Sequence, residues 1–136
     1  MKLKIKKLSF DAAHYLPGIT KCNQIHGHTY VLENIEVEVE ENKFVDFRKI
    51  KDALSHLDHL LIVPENEINI WYELKKIIEE RTSAKVMLWA VRGNPTVENI
   101  SEWLRHYILD SLLGKVDGVI DIHFELYEGL NQGREI

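Results

Sequence analysis

Three histidines in the first fifth of the chain, His14, His26 and His28, have the residue type and spacing of metal ligands. In a β-strand, residues i and i+2 point to the same face, so the imidazoles of His26 and His28 can reach one point. Gly27 points the other way and permits close approach of the backbone. A third ligand must come from elsewhere. His14 is the best candidate, because it ends a predicted strand that can pair with the strand of His26.

Three neutral imidazoles leave Zn²⁺ its full double charge and one open coordination position, which is the arrangement of a catalytic zinc site. The chain has one cysteine in 136 residues, which excludes an internal disulfide and a cysteine-rich structural zinc site. A chance His-x-His pair in a chain with seven histidines is the competing interpretation, and spacing alone does not separate the two.

The single cysteine, Cys22, lies four residues before His26 in a polar segment. A free cysteine is most often a small buried hydrophobic residue. Its polar neighbours and its expected nearness to zinc favour a reactive thiol instead, since nearby positive charge stabilises the thiolate that would act as a base.

Asp58 and His59 are a second pair with possible chemistry, placed just after a predicted helix over 47–57. Side chains of adjacent residues point in different directions, so the carboxylate need not contact the neighbouring imidazole. A carboxylate and an imidazole in one pocket can pass protons near neutral pH. For the pair taken alone, a histidine interacting with the dipole at a helix end is the simpler interpretation.

Hydrophobic periodicity predicts the elements that must position these residues. Alternation predicts four strands, over 2–10 with a change of phase that suggests a bulge, 26–40, 86–91 and 119–127. Helical spacing predicts three helices, over 47–57 with Asp46 as N-cap, over 70–81, and from Thr96 to just before Gly114. A short apolar run over 60–63 ends at Pro64. The order predicts one α+β domain over 1–136, a mostly antiparallel sheet with helices packed on one face.

Composition argues against several classes of protein. The net charge of −5, with acidic residues spread along the chain, argues against a nucleic-acid binder, which needs a basic face. The sequence contains no stretch of about 18 uncharged apolar residues, so no membrane span is predicted. The basic start lacks a following apolar segment, so we expect no signal peptide and a cytoplasmic protein. Exposed edges of a small sheet predict assembly between subunits.

Six motifs occur in order along the chain: Phe10-Asp-Ala-Ala-His14, Cys22-x-x-x-His26-Gly-His28, Val45-Asp-Phe47, Leu57-Asp-His59, Pro95-Thr-Val-Glu-Asn99 and Leu126-Tyr-Glu128. Each alone is weak, but together they resemble the 6-pyruvoyltetrahydropterin synthase/6-carboxytetrahydropterin synthase family. The resemblance implies the tunnelling fold, in which antiparallel sheets of three subunits form a β-barrel and trimers stack into hexamers. It also implies active sites that lie between subunits.

The same resemblance implies roles for individual residues. It implies three zinc ligands, His14, His26 and His28. It further implies three residues that transfer protons, Cys22 as the general base with Asp58 and His59 completing a relay, from the same or a neighbouring chain.

Substrate contacts are implied for Glu128, Thr96 and Glu98. A carboxylate facing the 2-amino and N3 edge of a pterin makes a bidentate, charge-assisted pair, which is the role implied for Glu128. The alternative interpretation of Glu128 is an exposed glutamate at the end of a strand. Glu125 is the other candidate for the pterin contact. For Thr96 and Glu98 the alternative is ordinary helix capping.

The substrate implied by the resemblance is 7,8-dihydroneopterin triphosphate, with no redox cofactor. We expect 6-carboxy-5,6,7,8-tetrahydropterin with release of acetaldehyde and triphosphate, a step towards 7-deazaguanine bases of the queuosine type. The three residues between Cys22 and His26 resemble the spacing of the subgroup that forms the carboxy product, and this resemblance favours it over the pyruvoyl product of triphosphate elimination. A dihydroneopterin aldolase-like activity and a non-catalytic zinc- or pterin-binding protein are the remaining alternatives.

Two features depart from the family pattern. Residues 64–93 add a predicted helix and strand, which we interpret as an insertion that can reshape the mouth of the pocket. No basic cluster for a triphosphate is evident beyond Lys21 and scattered residues such as Arg48.

Overall fold

The computed structural model describes residues 1–129 and 132–135 of the chain, which form one six-stranded sheet with helices against it. The strands are β1 (Lys2–His14), β2 (His26–Val39), β3 (Leu60–Pro64), β4 (Met87–Val91), β5 (Val119–Glu128) and β6 (Gln132–Glu135). The helices are α1 (Phe47–Ser55), α2 (Ile68–Arg81) and α3 (Val97–Lys115). The predicted α+β class is confirmed.

The sheet has the order β4-β3-β1-β2-β5-β6. Its larger part, β1-β2-β5-β6, is antiparallel as predicted. The apolar run after residue 59 is β3, which pairs in parallel with β1 and with β4. A short apolar run without alternation does not reveal a strand by its period. A strand whose two faces are both buried, as those of β3 largely are, has no reason to alternate.

The change of phase in β1 is present, and it has a counterpart in β2. The buried positions of β1 change from odd to even numbers between Ile5 and Phe10, and those of β2 change from even to odd between Leu32 and Ile35. Asn34 adopts a left-handed backbone, with φ of 49°, where the phase of β2 changes, and the pairing with β5 is irregular there. The irregularity keeps the ends of both strands, and their histidines, on the face that the helices cover.

The core lies between the sheet and the helices α1 and α3. Ile100, Leu104 and Ile108 of α3 are fully buried at spacing i, i+4, i+8, together with Ile50 of α1. The side chain of Asp46 caps α1 as predicted, accepting a hydrogen bond from the backbone N–H of Arg48 at 2.9 Å.

The helix and strand predicted within 64–93 are α2 and β4. A short 3₁₀ turn, Glu65–Glu67, precedes α2, and α2 buries none of its side chains fully. Trp89 of β4 packs against Trp103 of α3, with ring centroids 4.3 Å apart. Four details were predicted wrongly: β1 continues past residue 10 to His14, α1 ends at Ser55, α3 continues through Gly114 to Lys115, and β6 was not predicted. No helix among the described residues is long and apolar enough to cross a membrane.

Candidate metal centre

The pairing of β1 with β2 brings the three histidines together. The register places His14 opposite His26 and Ala12 opposite His28, so all three imidazoles lie on one face at the end of the hairpin. One nitrogen from each ring lies within 4.8 Å of the others, and ring centroids are 4.6 to 5.0 Å apart. The convergence predicted from the sequence is therefore observed in one chain.

Backbone carbonyls orient two of the rings. The Nδ1 atom of His14 lies 2.7 Å from the carbonyl oxygen of Pro95, and the Nδ1 atom of His26 lies 2.6 Å from that of Gln24. Because a carbonyl oxygen only accepts, each Nδ1 must carry the hydrogen, and each neutral ring then offers a bare Nε2. This arrangement of the outer nitrogens is the usual one for histidines that bind a metal.

The two bare Nε2 atoms of His14 and His26 face each other at 3.0 Å. Two lone pairs at this distance repel unless a proton or a cation lies between them. Burial, as the largest cause, lowers the pKa of His14, and the neighbouring imidazoles lower it further, which disfavours the proton. Imidazole nitrogens around a tetrahedral zinc are about 3.3 Å apart, given Zn–N bonds of about 2.0–2.1 Å. The donor set therefore fits a divalent cation.

His28 supplies independent support for a cation. Its Nε2 atom is buried and has no hydrogen-bond partner among the described residues. Glu128 Oε1 lies 3.2 Å from it, close enough for an ion pair but outside hydrogen-bond geometry. An unsatisfied buried polar atom costs about 1–3 kcal/mol, and metal ligation would remove that cost.

Glu128 and Tyr30 complete the surroundings of the cluster. The register places Glu128 opposite Tyr30, two residues after His28 on the same face of β2. Tyr30 is fully buried with its hydroxyl 3.2 Å from His14 Nδ1, and burial followed by the charge of Glu128 raises its pKa. Glu125, the rival of Glu128, instead accepts hydrogen bonds from Asn34 and from the hydroxyl of Tyr127.

Cys22 lies in the loop 15–25 that connects the two strands that carry the three histidines. It is a free, partly buried cysteine, and its carbonyl oxygen accepts a hydrogen bond from the backbone N–H of Leu16 at 2.6 Å. Its sulfur does not belong to the group of mutually close imidazole nitrogens. A role for the thiol beside the metal stays a prediction.

Asp58 and His59 contact each other, which adjacent residues on a regular element would not do. His59 has a left-handed backbone with φ of 56°, and this turns its Nδ1 atom to 3.0 Å from Asp58 Oδ2. Asp58 Oδ1 accepts the backbone N–H of Asp11 at 2.8 Å, and this bond, ahead of the contact with His59, lowers the pKa of Asp58. The His59 side chain is 83% exposed.

A cavity of about 540 Å³ lies beside this pair, and it is lined by His59 and by residues at the ends of β1 and β2. Asp11, Gly27 and Thr29 line the same cavity, and Lys85 is the only lysine or arginine on its wall among the described residues. Asp11, Gly27 and Thr29 alternate along β1 and β2 with the three histidines, so this cavity lies on the face of the sheet opposite to the imidazoles of the same chain.

Thr96 and Glu98 lie at the start of α3. The Thr96 hydroxyl accepts a hydrogen bond from the backbone N–H of Asn99 at 3.3 Å, which is an N-cap contact, and Glu98 is exposed in the first turn. This segment instead contacts the histidine cluster through the carbonyl oxygen of Pro95, which lies next to His14. The sequence could not reveal this contact, because a backbone carbonyl does not depend on residue type.

The cap contact predicts a stability effect for Thr96. Replacement of Thr96 with alanine is expected to lower the free energy of unfolding by about 1 kcal/mol, because a helix N–H loses its acceptor. Urea denaturation measures the change, and Thr96→Ser, which keeps the hydroxyl, is the matched control. An equal loss in the serine variant would show that the cap bond is not responsible.

Comparisons with known proteins agree with this geometry. Residues 4–134 match the family described as 6-pyruvoyl tetrahydropterin synthase. A 6-carboxy-5,6,7,8-tetrahydropterin synthase of Rickettsia bellii is 35% identical over 117 residues, covering 79% of this chain and 80% of the relative. A dihydroneopterin monophosphate aldolase of Pyrococcus furiosus is 31% identical over 113 residues, covering 82% and 79%.

A solved structure is also similar. The 6-pyruvoyl tetrahydropterin synthase of Plasmodium vivax superimposes with a TM-score of 0.61 at 14% identity, covering 100% of this chain and 97% of that protein. At this identity the likeness shows the fold alone. The predicted tunnelling fold of the subunit is thereby confirmed.

Proposed function

Since the chain belongs to the 6-pyruvoyl tetrahydropterin synthase family, we propose that it is a zinc enzyme that makes 6-carboxy-5,6,7,8-tetrahydropterin from 7,8-dihydroneopterin triphosphate, releasing acetaldehyde and triphosphate. The observation that carries the proposal is the cluster of His14, His26 and His28, in which backbone carbonyls hold the Nδ1 atoms of His14 and His26 and three ring nitrogens converge where a cation could bind. Relatives named for this reaction support the choice of product.

His14, His26 and His28 would hold the zinc ion, leaving one side open to the substrate. When bound, zinc would supply Lewis-acid stabilisation of negative charge that develops on the side-chain oxygens of the substrate. Glu128 Oε1 lies 3.2 Å from His28 Nε2, so its carboxylate would lie next to the bound ion.

Proton transfer falls to the chain's own side chains. Cys22 acts as the general base that removes a proton from a side-chain carbon of the substrate, and Asp58 and His59 return protons through the contact between them. The 3.0 Å contact favours this role, because a carboxylate that holds one nitrogen of a ring leaves the other nitrogen to exchange protons.

Glu128 anchors the pterin ring by accepting two hydrogen bonds from its 2-amino and N3 edge. Replacement of Glu128 with glutamine is expected to lower kcat/KM about 10- to 100-fold, the range for loss of one charge-assisted bond. Steady-state kinetics measure the effect, and Glu125→Gln on the other side of β5 is the matched control. A larger loss in the control would transfer the role to Glu125.

A second candidate is aldolase chemistry on a less phosphorylated dihydroneopterin. The relative named dihydroneopterin monophosphate aldolase covers most of the chain. The wall of the cavity of about 540 Å³ carries Lys85 as its only lysine or arginine among the described residues, which is a weak site for a triphosphate.

One experiment separates the candidates. The zinc-loaded protein is incubated with dihydroneopterin triphosphate, its monophosphate and dihydroneopterin, and products are identified by mass spectrometry. Acetaldehyde with carboxytetrahydropterin supports the proposal, and the pyruvoyl product would replace it with triphosphate elimination. Glycolaldehyde or its phosphate would establish the aldolase. Absence of turnover with zinc retained would indicate a non-catalytic binding protein.

We also propose that the chain works as a homo-oligomer, a trimer or hexamer, in the cytoplasm, where a catalytic thiol stays reduced. The supporting observation is the 83% exposure of the His59 side chain, which a second subunit would cover. Sedimentation equilibrium is expected to give three or six times the chain mass of 15.9 kDa. A monomer at micromolar concentration would contradict assembly and assign each site to a single chain.

A further inference from the structure

A short chain of hydrogen bonds joins α2 to the segment that carries the candidate site. The indole N–H of Trp71 donates to the hydroxyl oxygen of Tyr15 at 2.8 Å, and that hydroxyl donates to Glu67 Oε1 at 2.7 Å. The rings of Tyr15 and Trp71 also pack, with centroids 5.8 Å apart. Tyr15 directly follows His14, so the contact reaches the first residue beyond a candidate metal ligand.

The same residues border a second cavity, of about 320 Å³, between α2 and the loop 15–25. On the loop side it is lined by Tyr15, Asn23 and Ile25. Each of these three is the immediate chain neighbour of a candidate site residue, namely His14, Cys22 and His26 in that order. The loop side of this cavity is therefore formed by residues directly next to the candidate site residues.

The bonds of Tyr15 are the only side-chain hydrogen bonds between the loop 15–25 and the 65–81 segment among the described residues. The helix itself buries no side chain fully, so these bonds and the partly apolar contacts around them determine how firmly it holds the loop. Loops tied by few buried contacts open at low free energy.

We propose that Glu67 and Trp71 are positioning residues, which act through Tyr15 to hold the loop 15–25 in its observed conformation and so fix the position of Cys22. The catalytic meaning of this inference rests on the proposed function, because it assumes that Cys22 transfers a proton. The mechanical link from α2 to the loop does not depend on the proposed function, and it can be measured without any substrate.

Cys22 is partly buried and is the only cysteine of the chain, so an increase in its rate of alkylation by iodoacetamide reports loosening of the loop. In the zinc-loaded protein, Tyr15→Phe, which loses both partly buried hydrogen bonds, and Glu67→Ala, which loses one, are expected to raise the alkylation rate about fivefold to tenfold. Glu67→Gln keeps an acceptor oxygen and should stay within about twofold of the wild type. Tyr72→Phe, which removes an exposed hydroxyl from the same helix, is the matched control.

Unchanged alkylation in both Tyr15→Phe and Glu67→Ala would overturn the inference, as would an equal rise in Tyr72→Phe. If one variant does not fold, the other, compared with Glu67→Gln, decides the question. With active enzyme, the two opening variants should also lower kcat at unchanged KM. Faster alkylation in a protein that turns over no pterin would keep the positioning role and reject the proposed function, so the two failures are distinguishable.

Discussion

Replacement of Cys22 with alanine is expected to lower kcat about 10²- to 10⁴-fold while one zinc ion per chain stays bound. A positioned general base contributes a factor of this size, and the variant removes the base without touching an imidazole. The cluster of mutually close ligand atoms contains three histidine nitrogens and no sulfur, so metal retention follows from the geometry. Steady-state kinetics and metal analysis on the same sample measure the two quantities.

Cys22→Ser is the informative companion, because a hydroxyl has nearly the size of the thiol but is a far weaker acid. It should keep zinc and fold normally, yet recover little of the activity. Loss of zinc in either variant would make Cys22 a metal ligand and remove its assignment as the base.

Replacement of His14 with alanine is expected to abolish both zinc binding and turnover. His14 is fully buried, and its ring contacts the Pro95 carbonyl oxygen through Nδ1 and the His26 ring through Nε2. Loss of one of three protein ligands should weaken zinc binding more than the factor of about 10 to 100 found for outer hydrogen-bond partners. Competition with a chromophoric chelator measures the affinity.

The buried position of His14 also predicts a stability cost, because the variant leaves a cavity and an unpaired carbonyl oxygen. His28→Ala, at a partly exposed position, should lose zinc and activity with less damage to the fold. His106→Ala, an exposed histidine of α3, is the control and should change neither. A His28→Ala protein that keeps zinc and full turnover would remove that residue from the site.

The part of the site that could be predicted from sequence is the part encoded by strand periodicity. The i, i+2 spacing of His26 and His28 gives their common face, and the apolar alternation over 2–10 gives a partner strand that leads to His14. Both are local patterns, and antiparallel pairing of neighbouring strands is the default connection.

The rest depends on tertiary placement that local patterns do not carry. The carbonyl of Pro95 reaches His14 across 81 positions of sequence, and its contribution involves no side chain. The contact between Asp58 and His59 requires a left-handed backbone at a histidine, which residue type does not predict. The parallel placement of β3 beside β1, which brings His59 to the cavity with His28, follows a crossover that an apolar run cannot reveal.

The central claim is that three imidazoles bind one zinc ion that remains open to an incoming molecule. X-ray absorption at the zinc edge on the purified, zinc-loaded protein tests it most directly. We predict that the zinc ion has three histidine nitrogens and one oxygen as ligands, at distances of about 2.0–2.1 Å from the zinc. A sulfur scatterer at about 2.3 Å, fewer than three imidazoles, or full turnover in protein stripped of metal would contradict it.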